Sequence, residues 1–247
     1  MVERDIVDGI HRIAHADVNV YLIEDEDGVT LVDTGLPATF RRITTALREI
    51  GRTPAEVRAV LLTHAHFDHV GSARRAHSTW GVPVFAHDGD RALAAHPYRY
   101  KRERNPLRYP FRHPRSITVL GKMALAGALV VRGIHDILSM EAGSQLAVPG
   151  RPQVVFTPGH TFGHCALHLP EREVVLSGDA LVTLDPYTGG RGPQIVAGAA
   201  TADSPMALAA LAALADTGAR SVLPGHGEPW TEGVAAAVEL AMRAGPH

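Results

Sequence analysis

A six-residue run of metal-ligating side chains, His64-Ala65-His66-Phe67-Asp68-His69, constrains the fold of this chain more than any other feature. The run directly follows the apolar stretch 59–63, a pattern typical of a buried β-strand. In an extended segment, residues i and i+2 project to the same side, so His64 and His66 can bind one ion as a pair. Asp68 and His69 lie just past the turn and can face a second ion. We therefore predict a metal site at the end of this strand. The alternative is a histidine-rich surface loop that binds metal by accident.

Three later segments strengthen the prediction of a metal site. Each follows a short, β-branched, strand-like run and carries one more ligand type on a turn that contains glycine. These segments end in or contain His160, Asp179 and His226. One end of the predicted sheets thus collects seven ligand candidates, namely His64, His66, Asp68, His69, His160, Asp179 and His226. Three such placements by chance are improbable, which argues against the accidental loop.

In these motifs the sequence resembles the metallo-β-lactamase-fold hydrolase superfamily, in the branch similar to glyoxalase II and lactonases. The family signature is HxHxDH followed by a separated His, Asp and His, and the resemblance runs from about residue 19 to residue 230. It implies a mixed α/β (α+β) fold, a four-layer αββα sandwich. It further implies one metal held by His64, His66 and His160, a second held by Asp68, His69 and His226, and Asp179 as the bridge.

Asp33 matches the early Asp-Thr-Gly turn of the resembled family. There the carboxylate is expected to orient a metal ligand from outside the coordination sphere. The alternative is an aspartate that only satisfies the amide groups of its own turn. His164 lies four residues after His160, and we expect it to support the site or start a strand rather than bind metal.

The resemblance implies a hydrolase with two divalent metal ions, with zinc expected first and iron or manganese as alternatives. A metal-bridging hydroxide would attack a small ester, thioester or lactone, and Asp68 is the candidate catalytic residue for proton transfer. Two alternatives stay open. One is a phosphodiesterase or nuclease-type hydrolase. The other is a mononuclear iron enzyme similar to persulfide dioxygenases, which uses only part of the ligand set.

Departures from better-known subfamilies narrow the expected substrate. Class B β-lactamases generally carry a cysteine where this chain has Asp179. Quorum-quenching lactonases carry a tyrosine three residues past the bridging aspartate, where this chain has Val182. Tyr187 could take that place only if its loop folds back. A compact hydrolase of small carbonyl substrates therefore remains the preferred interpretation.

Composition limits the partners and the location of the protein. With 247 residues and 45% hydrophobic content, the chain can bury a substantial core, and we predict a single domain over 1–247. The net charge of −2 gives no global reason to expect nucleic acid or an anionic membrane. The single cysteine, Cys165, excludes an internal disulfide, and the first residues lack the apolar core of a signal peptide. We expect a cytoplasmic protein without a membrane span that acts on a small molecule.

Local patterns predict the order of helices and strands. The predicted strands are 18–23, 29–32, 59–63, 82–86, 153–157, 164–169, 173–177 and 220–223. Helices are predicted over 38–50, from the metal loop to about 80, from Ser204 as cap and Pro205 as first residue to 216, and over about 231–243.

The segment of about 91–150 fits this scheme least well. Between 91 and 115 it carries eight basic side chains and one acidic side chain, with tyrosines interleaved, and then an apolar stretch at 123–131. We predict a partly helical insertion that acts as a lid, with Arg102, Arg104 and Arg108 attracting an anionic group of the substrate. The alternative is a solvated basic face followed by a core helix or the interface of a homodimer.

Overall fold

In the computed structural model, which describes residues 2–247, the first half of the chain forms a seven-stranded sheet. Its strands are β1 (Glu3–Val7), β2 (Ile10–His15), β3 (Val18–Asp25), β4 (Gly28–Val32), β5 (Val57–Leu61), β6 (Val84–Ala86) and β7 (Leu138–Ser139). Strands β1 to β4 pair in antiparallel order, and β4 to β7 pair in parallel. The parallel part matters for the site because its strands end at the same edge of the sheet.

The second half of the chain forms a four-stranded sheet and a separate hairpin. In chain order the strands are β8 (Gln153–Phe156), β9 (Cys165–Leu169), β10 (Val174–Gly178), β11 (Val182–Leu184), β12 (Arg191–Gln194) and β13 (Ser221–Pro224). The sheet order is β13-β10-β9-β8, with β10 and β13 parallel, while β11 and β12 pair with each other.

Eight α-helices accompany these strands within the described residues. They are α1 (Thr39–Glu49), α2 (Phe67–Val70), α3 (Ala73–Trp80), α4 (Arg91–Ala95), α5 (Tyr109–Arg112), α6 (Arg115–Leu125), α7 (Ser204–Ala215) and α8 (Val234–Ala244). No helix in 2–247 has the length and apolar character needed to cross a membrane.

Alternation along the central strands produces three apolar layers. In β3, Leu22 packs in the cluster that contains the buried face of α1, whereas Ile23 packs between the two sheets. In β10, Leu176 lies between the sheets, whereas Val175 packs in the cluster of α7 and α8. Successive side chains of a strand point to opposite faces, so β3 and β10 each contribute to two apolar layers and are covered on both faces. The result is the predicted αββα sandwich, so the predicted fold class is confirmed.

Two local expectations were wrong, and five strands were not predicted, namely β1, β2, β7, β11 and β12. Asp203, not Ser204, caps α7, since its carboxylate accepts a hydrogen bond from Met206 N over 2.9 Å. Helix α8 begins at Val234, three residues later than expected, because Gly233 adopts a left-handed φ of 87°. Strands β1 and β2 were not predicted, since β1 is exposed at its first three residues and has little apolar alternation.

The segment 91–150 contributes to both the surface and the first sheet. It contains α4, α5 and α6, and its strand β7 pairs with β6. Within the apolar stretch, Met123 is buried, whereas Leu129 and Val130 are 80% and 71% exposed. The division into one domain with a lid stays a prediction.

Candidate metal centre

The candidate ligands come together at one edge of the two sheets. After β5, His64 and His66 lie in the loop and Asp68 and His69 lie in α2, whereas His160 lies in the loop between β8 and β9. Asp179 follows β10 and His226 follows β13, and these two strands are parallel neighbours. The carboxyl ends of parallel strands meet at one edge, which is why ligands distant in sequence converge.

The seven residues form one buried cluster, with none more than 7% exposed. Ligand atoms lie within 4.8 Å of one another in three groups: His64, His66 and His160; His64, His69 and Asp179; and Asp68, His69 and His226. Asp179 Oδ2 lies 3.2 Å from His226 Nε2 and 3.5 Å from His160 Nε2, and its Oδ1 lies 3.5 Å from His69 Nε2. The structure thus places Asp179 between the two predicted triads. The role of the seven residues as ligands stays a prediction.

Hydrogen bonds outside the cluster fix the orientation of His69 and His64. His69 Nδ1 donates to Asp33 Oδ2 over 2.9 Å, and Thr63 Oγ1 donates to the same oxygen over 2.8 Å. Because the threonine proton goes to Asp33, Thr63 Oγ1 is free to accept from His64 Nδ1, 3.1 Å away. Both imidazoles therefore keep Nε2 as the atom that faces the cluster.

In His226 and His160, too, Nδ1 has a partner outside the cluster and Nε2 faces the cluster. His226 Nδ1 donates to the carbonyl oxygen of Asp17 over 2.7 Å. His160 Nδ1 lies 3.3 Å from Thr201 Oγ1, whose own proton goes to a backbone carbonyl. Asp17 and Thr201 could not be predicted from the sequence, since neither belongs to a motif and each is far from its partner along the chain.

His164 lies next to the cluster but belongs to none of the three ligand groups. Its Nε2 accepts a hydrogen bond from Asp179 N over 3.0 Å, and its Nδ1 lies 2.8 Å from Thr157 Oγ1. Burial lowers the pKa of His164 to about 3, so the ring is neutral and Nε2 can accept. This geometry fits the supporting role that we expected for His164.

Burial and mutual charge set the protonation of the cluster. Burial lowers the pKa of His66 to about 4. Burial also disfavours charge on His69, but Asp179 and Asp33 outweigh it and raise the pKa of His69 to about 9. The pKa of Asp179 is held well below its usual range, since His226 and His69 outweigh the effect of its burial. An ionised carboxylate at the centre favours binding of a cation.

A narrow pocket opens onto the cluster, and part of it comes from the segment 91–150. Beside the ligand candidates, its walls include the side chains Phe67, Tyr100, Met123, Pro186, Tyr187, Val196 and Ala200. The described lining contains no lysine or arginine. Arg104 and Arg108 instead line a separate pocket next to Tyr109. The insertion therefore presents an aromatic and apolar wall to the site.

Tyr187 reaches the pocket because its loop does fold back. Asp185 N donates to Gly190 O over 2.9 Å, Gly189 N donates to Asp185 O over 2.8 Å, and Asp185 Oδ1 accepts from Tyr187 N over 3.0 Å. Burial raises the pKa of Tyr187, and the adjacent Tyr100 raises it further, so the hydroxyl stays protonated. Tyr187 is thus a hydrogen-bond donor beside the cluster.

Two packed sheets with a buried histidine and aspartate cluster at one edge define a class of metal-dependent hydrolases. The Metallo-beta-lactamase superfamily profile matches residues 15–227, and the chain belongs to that superfamily. The superfamily uses divalent metals, and the chain is a metal-dependent hydrolase.

Known proteins similar to this chain agree with that assignment. The probable metallo-hydrolase YflN of Bacillus subtilis (strain 168) is 28% identical over 243 residues, which cover 90% of this chain and 85% of the relative. TTHA1623, whose crystal structure is of a di-iron-bound form, is 28% identical to this chain in sequence. The two structures superpose with a TM-score of 0.62, and the match covers 91% of this chain and 95% of TTHA1623. An N-acyl homoserine lactonase of Bacillus thuringiensis is 25% identical over 197 residues, which cover 70% of this chain and 65% of the lactonase.

Proposed function

We propose that the chain is a dinuclear-metal hydrolase that cleaves a small ester, thioester or lactone. The observation that carries the proposal is the division of the cluster into two triads on either side of Asp179. His64, His66 and His160 would hold one ion, Asp68, His69 and His226 the other, and Asp179 both. The di-iron form of TTHA1623 supports a two-metal site in a protein similar to this chain.

Buried polar atoms without hydrogen-bond partners indicate that metal ions fit this site. The buried atoms His64 Nε2, His66 Nε2, His160 Nε2 and Asp179 Oδ1 have no hydrogen-bond partner within the described residues. Leaving a buried polar atom unpaired is costly, and four such atoms facing one space are the arrangement that a metal ion satisfies. Imidazole nitrogens and carboxylate oxygens suit zinc, iron and manganese, and we propose zinc first with iron as the main alternative.

Metal ions bound here would lower the pKa of a water molecule and polarise a carbonyl oxygen. The chain supplies the remaining functions. The Asp68 carboxylate, 3.4 Å from His226 Nε2 and facing the pocket, takes up and returns the proton during hydrolysis. The Tyr187 hydroxyl donates to the oxygen that gains negative charge. Met123 and Val196 exclude water from the apolar part of the substrate.

The pocket walls favour a carbonyl substrate over a phosphodiester. Phosphate groups are commonly bound by arginine or lysine side chains, and the described lining has neither. The lactonase relative acts, by its name, on a cyclic ester. An anionic group on the substrate would therefore have to extend beyond the pocket toward the exposed arginines of the segment 91–150.

A substrate panel on metal-quantified protein tests the proposal. We expect two metal ions per chain and turnover of p-nitrophenyl esters, thioesters or lactones, but not of bis-p-nitrophenyl phosphate. Asp179→Asn should lose metal and activity together. One iron per chain would instead support the mononuclear oxygenase, and turnover of the phosphodiester alone would support the phosphodiesterase.

Tyr187→Phe tests the hydroxyl separately from the metal site. We expect kcat to fall by about 10²-fold with the metal content unchanged, as for loss of one donor to a developing oxyanion. Tyr109→Phe is the matched control, since Tyr109 contacts the Tyr187 ring at 5.9 Å between centroids but does not line this pocket. Equal activity of both variants would contradict the role of the Tyr187 hydroxyl.

A further inference from the structure

We propose that Asp90 is a positioning residue that ties the loop bearing His64 and His66 to the loop bearing His160. The inference rests on the proposed function, because it assumes that these three histidines share one ion. Asp90 lies in the turn after β6, outside every motif of the family signature. Its hydrogen bonds go to residues beside the candidate ligands, through the backbone of the two loops and the Thr161 hydroxyl.

The Asp90 carboxylate is 1% exposed and its oxygens face three donors. Its Oδ2 accepts from Ala65 N over 2.9 Å and from Thr161 Oγ1 over 2.8 Å, and its Oδ1 accepts from Gly163 N over 2.9 Å. Ala65 lies between His64 and His66, and Thr161 directly follows His160. One side chain therefore contacts both segments within one residue of three candidate ligands.

The two loops belong to different sheets, so their separation is not set by either sheet alone. The loop after β5 comes from the first sheet, and the loop between β8 and β9 comes from the second. Asp90 is itself attached to the first sheet, since its turn follows β6, the neighbour of β5. The backbone bond from Cys165 N to Thr63 O, 2.8 Å long, joins the loops further from His160.

The close approach of the loops requires glycine at 163. A Cβ atom at Gly163 would lie 2.4 Å from Asp90 N and 2.7 Å from Asp90 Oδ1, shorter than any normal contact. The backbone of Gly163 therefore packs directly on the Asp90 turn. Because the two backbones are this close, no other side chain can enter between them to replace the hydrogen bonds of an altered Asp90 carboxylate.

Only a carboxylate can satisfy these partners. Two of the three donors are fixed backbone N–H groups, one on each carboxylate oxygen. An asparagine has one acceptor oxygen and one NH2 group, so in either orientation its NH2 would face an N–H donor. Asp90→Asn therefore keeps the shape of the side chain and turns one attraction into a repulsion.

Zinc binding to the full-length protein tests the proposal. Competition with a chromophoric chelator gives the two Zn²⁺ dissociation constants, one for each ion. For Asp90→Asn we expect the ion held by His64, His66 and His160 to bind about 10 to 100 times more weakly, the range seen when a residue that orients a ligand is lost. The other ion should change much less. Thr161→Val, which removes one of the three bonds, should show a smaller shift of the same kind.

Two controls separate positioning from general destabilisation. Asp88→Asn makes the same chemical change at an exposed position in the same turn and should leave both constants unchanged. Leu47→Ala removes buried core volume on α1, and should lower the melting temperature without weakening one ion selectively.

Three results would overturn the proposal. The first is that both Zn²⁺ dissociation constants of Asp90→Asn equal those of the parent protein. The second is that both ions bind more weakly by the same factor in Asp90→Asn. The third is that Leu47→Ala also weakens the binding of only the ion held by His64, His66 and His160. If Asp90→Asn does not fold, the constants of Thr161→Val decide by the same criteria. A parent protein that binds no Zn²⁺, iron or manganese at all would instead contradict the proposed function itself.

Discussion

Asp33 shows how one side chain can control a candidate metal ligand. It accepts from Thr63 N over 2.9 Å as well as from His69 and the Thr63 hydroxyl, so the carboxylate links the end of β5 to the His69 ring. Its backbone has a left-handed φ of 57°, a conformation that aspartate and asparagine tolerate better than other non-glycine residues. Of the two roles that the sequence left open for Asp33, the contact with His69 supports orientation of a ligand.

Asp33→Asn should weaken metal binding with little backbone strain. Asparagine tolerates the φ of 57°, but its NH2 group cannot accept a hydrogen bond, so at least one donor now bound to the carboxylate loses its acceptor. We expect metal affinity to fall by about 10- to 100-fold, measured by chelator competition. Asp5→Asn is the control, because Asp5 also has a positive φ of 49° but is exposed and belongs to none of the candidate ligand groups. Unchanged affinity in the Asp33 variant would show that Asp33 serves only its turn.

Helix α7 illustrates why a helix start is hard to place from sequence. Asp203, Ser204 and Pro205 are all residues typical of a helix start, so the local pattern does not decide which one caps. In the structure, Ser204 N and Oγ both donate to the Glu103 carboxylate over 2.8 and 2.6 Å, so Ser204 is engaged by a distant residue. Asp203 is left to cap the helix.

Removing this cap should lower the stability of the protein. We expect Asp203→Ala to cost about 1 kcal/mol in the free energy of unfolding, because Met206 N loses its acceptor. Asp203→Asn should be nearly neutral, since asparagine is an equally good cap. Urea denaturation of the three proteins measures both values. If Asp203→Asn lowered the free energy of unfolding as much as Asp203→Ala, the negative charge of Asp203, and not its hydrogen bond to Met206 N, would be the stabilising feature.

The short 3-10 helix Pro54–Glu56 yields a prediction about pH. Hydrogen bonds from Arg52 and Thr53 lower the pKa of Glu56 from 4.5 to about 2. A carboxyl whose pKa is lower in the folded state stabilises the protein above pH 4.5, and this contribution is lost as the pH falls toward 2. In Arg52→Gln, an NMR titration should find the pKa of Glu56 closer to its ordinary value. The difference should shrink in 1 M salt, because the Glu56 carboxylate is partly exposed to solvent, where salt screens its charge. An unchanged pKa in the variant would rule out Arg52 as the main cause.

The molecule as a whole depends on the apolar layer between its two sheets. This layer joins residues from the first half, such as Ile23 and Leu61, to residues from the second half, such as Leu167 and Leu176. The ligand loops of the two sheets can meet at one edge only if this layer is packed. Core packing and site geometry are therefore coupled.

Leu167→Ala should destabilise the protein by about 2–5 kcal/mol, because Leu167 is fully buried between the sheets. Leu125→Ala is the control, since Leu125 is 91% exposed and should change the free energy of unfolding little. Chemical denaturation measures both variants. A loss below about 1 kcal/mol in Leu167→Ala would show that the sheets are not held by this layer.

The features that could be predicted from the sequence are those that depend on residues close together along the chain. The alternation in β3 and the spacing of His64, His66, Asp68 and His69 are local properties, and both can be recognised without a partner segment. Strand β1 was missed because its stability comes from pairing with β2, not from its own pattern. The predicted start of α8 was wrong because Gly233 N donates to Arg220 O over 3.1 Å and Val234 N donates to Ala219 O over 2.9 Å, contacts that no local pattern shows.

By itself, the amino-acid sequence nominated the seven candidate ligands, because the spacing of a motif is encoded within short segments, and the family resemblance that those motifs carry implied the fold class. Only the tertiary structure decided how those ligands are held and what faces them. Asp90, Asp17 and Thr201 reach the ligand loops across 25 to more than 200 residues of chain, and Tyr187 enters the pocket through the shape of its loop. Such contacts arise from the packing of one sheet on the other, and no local pattern in the chain specifies them.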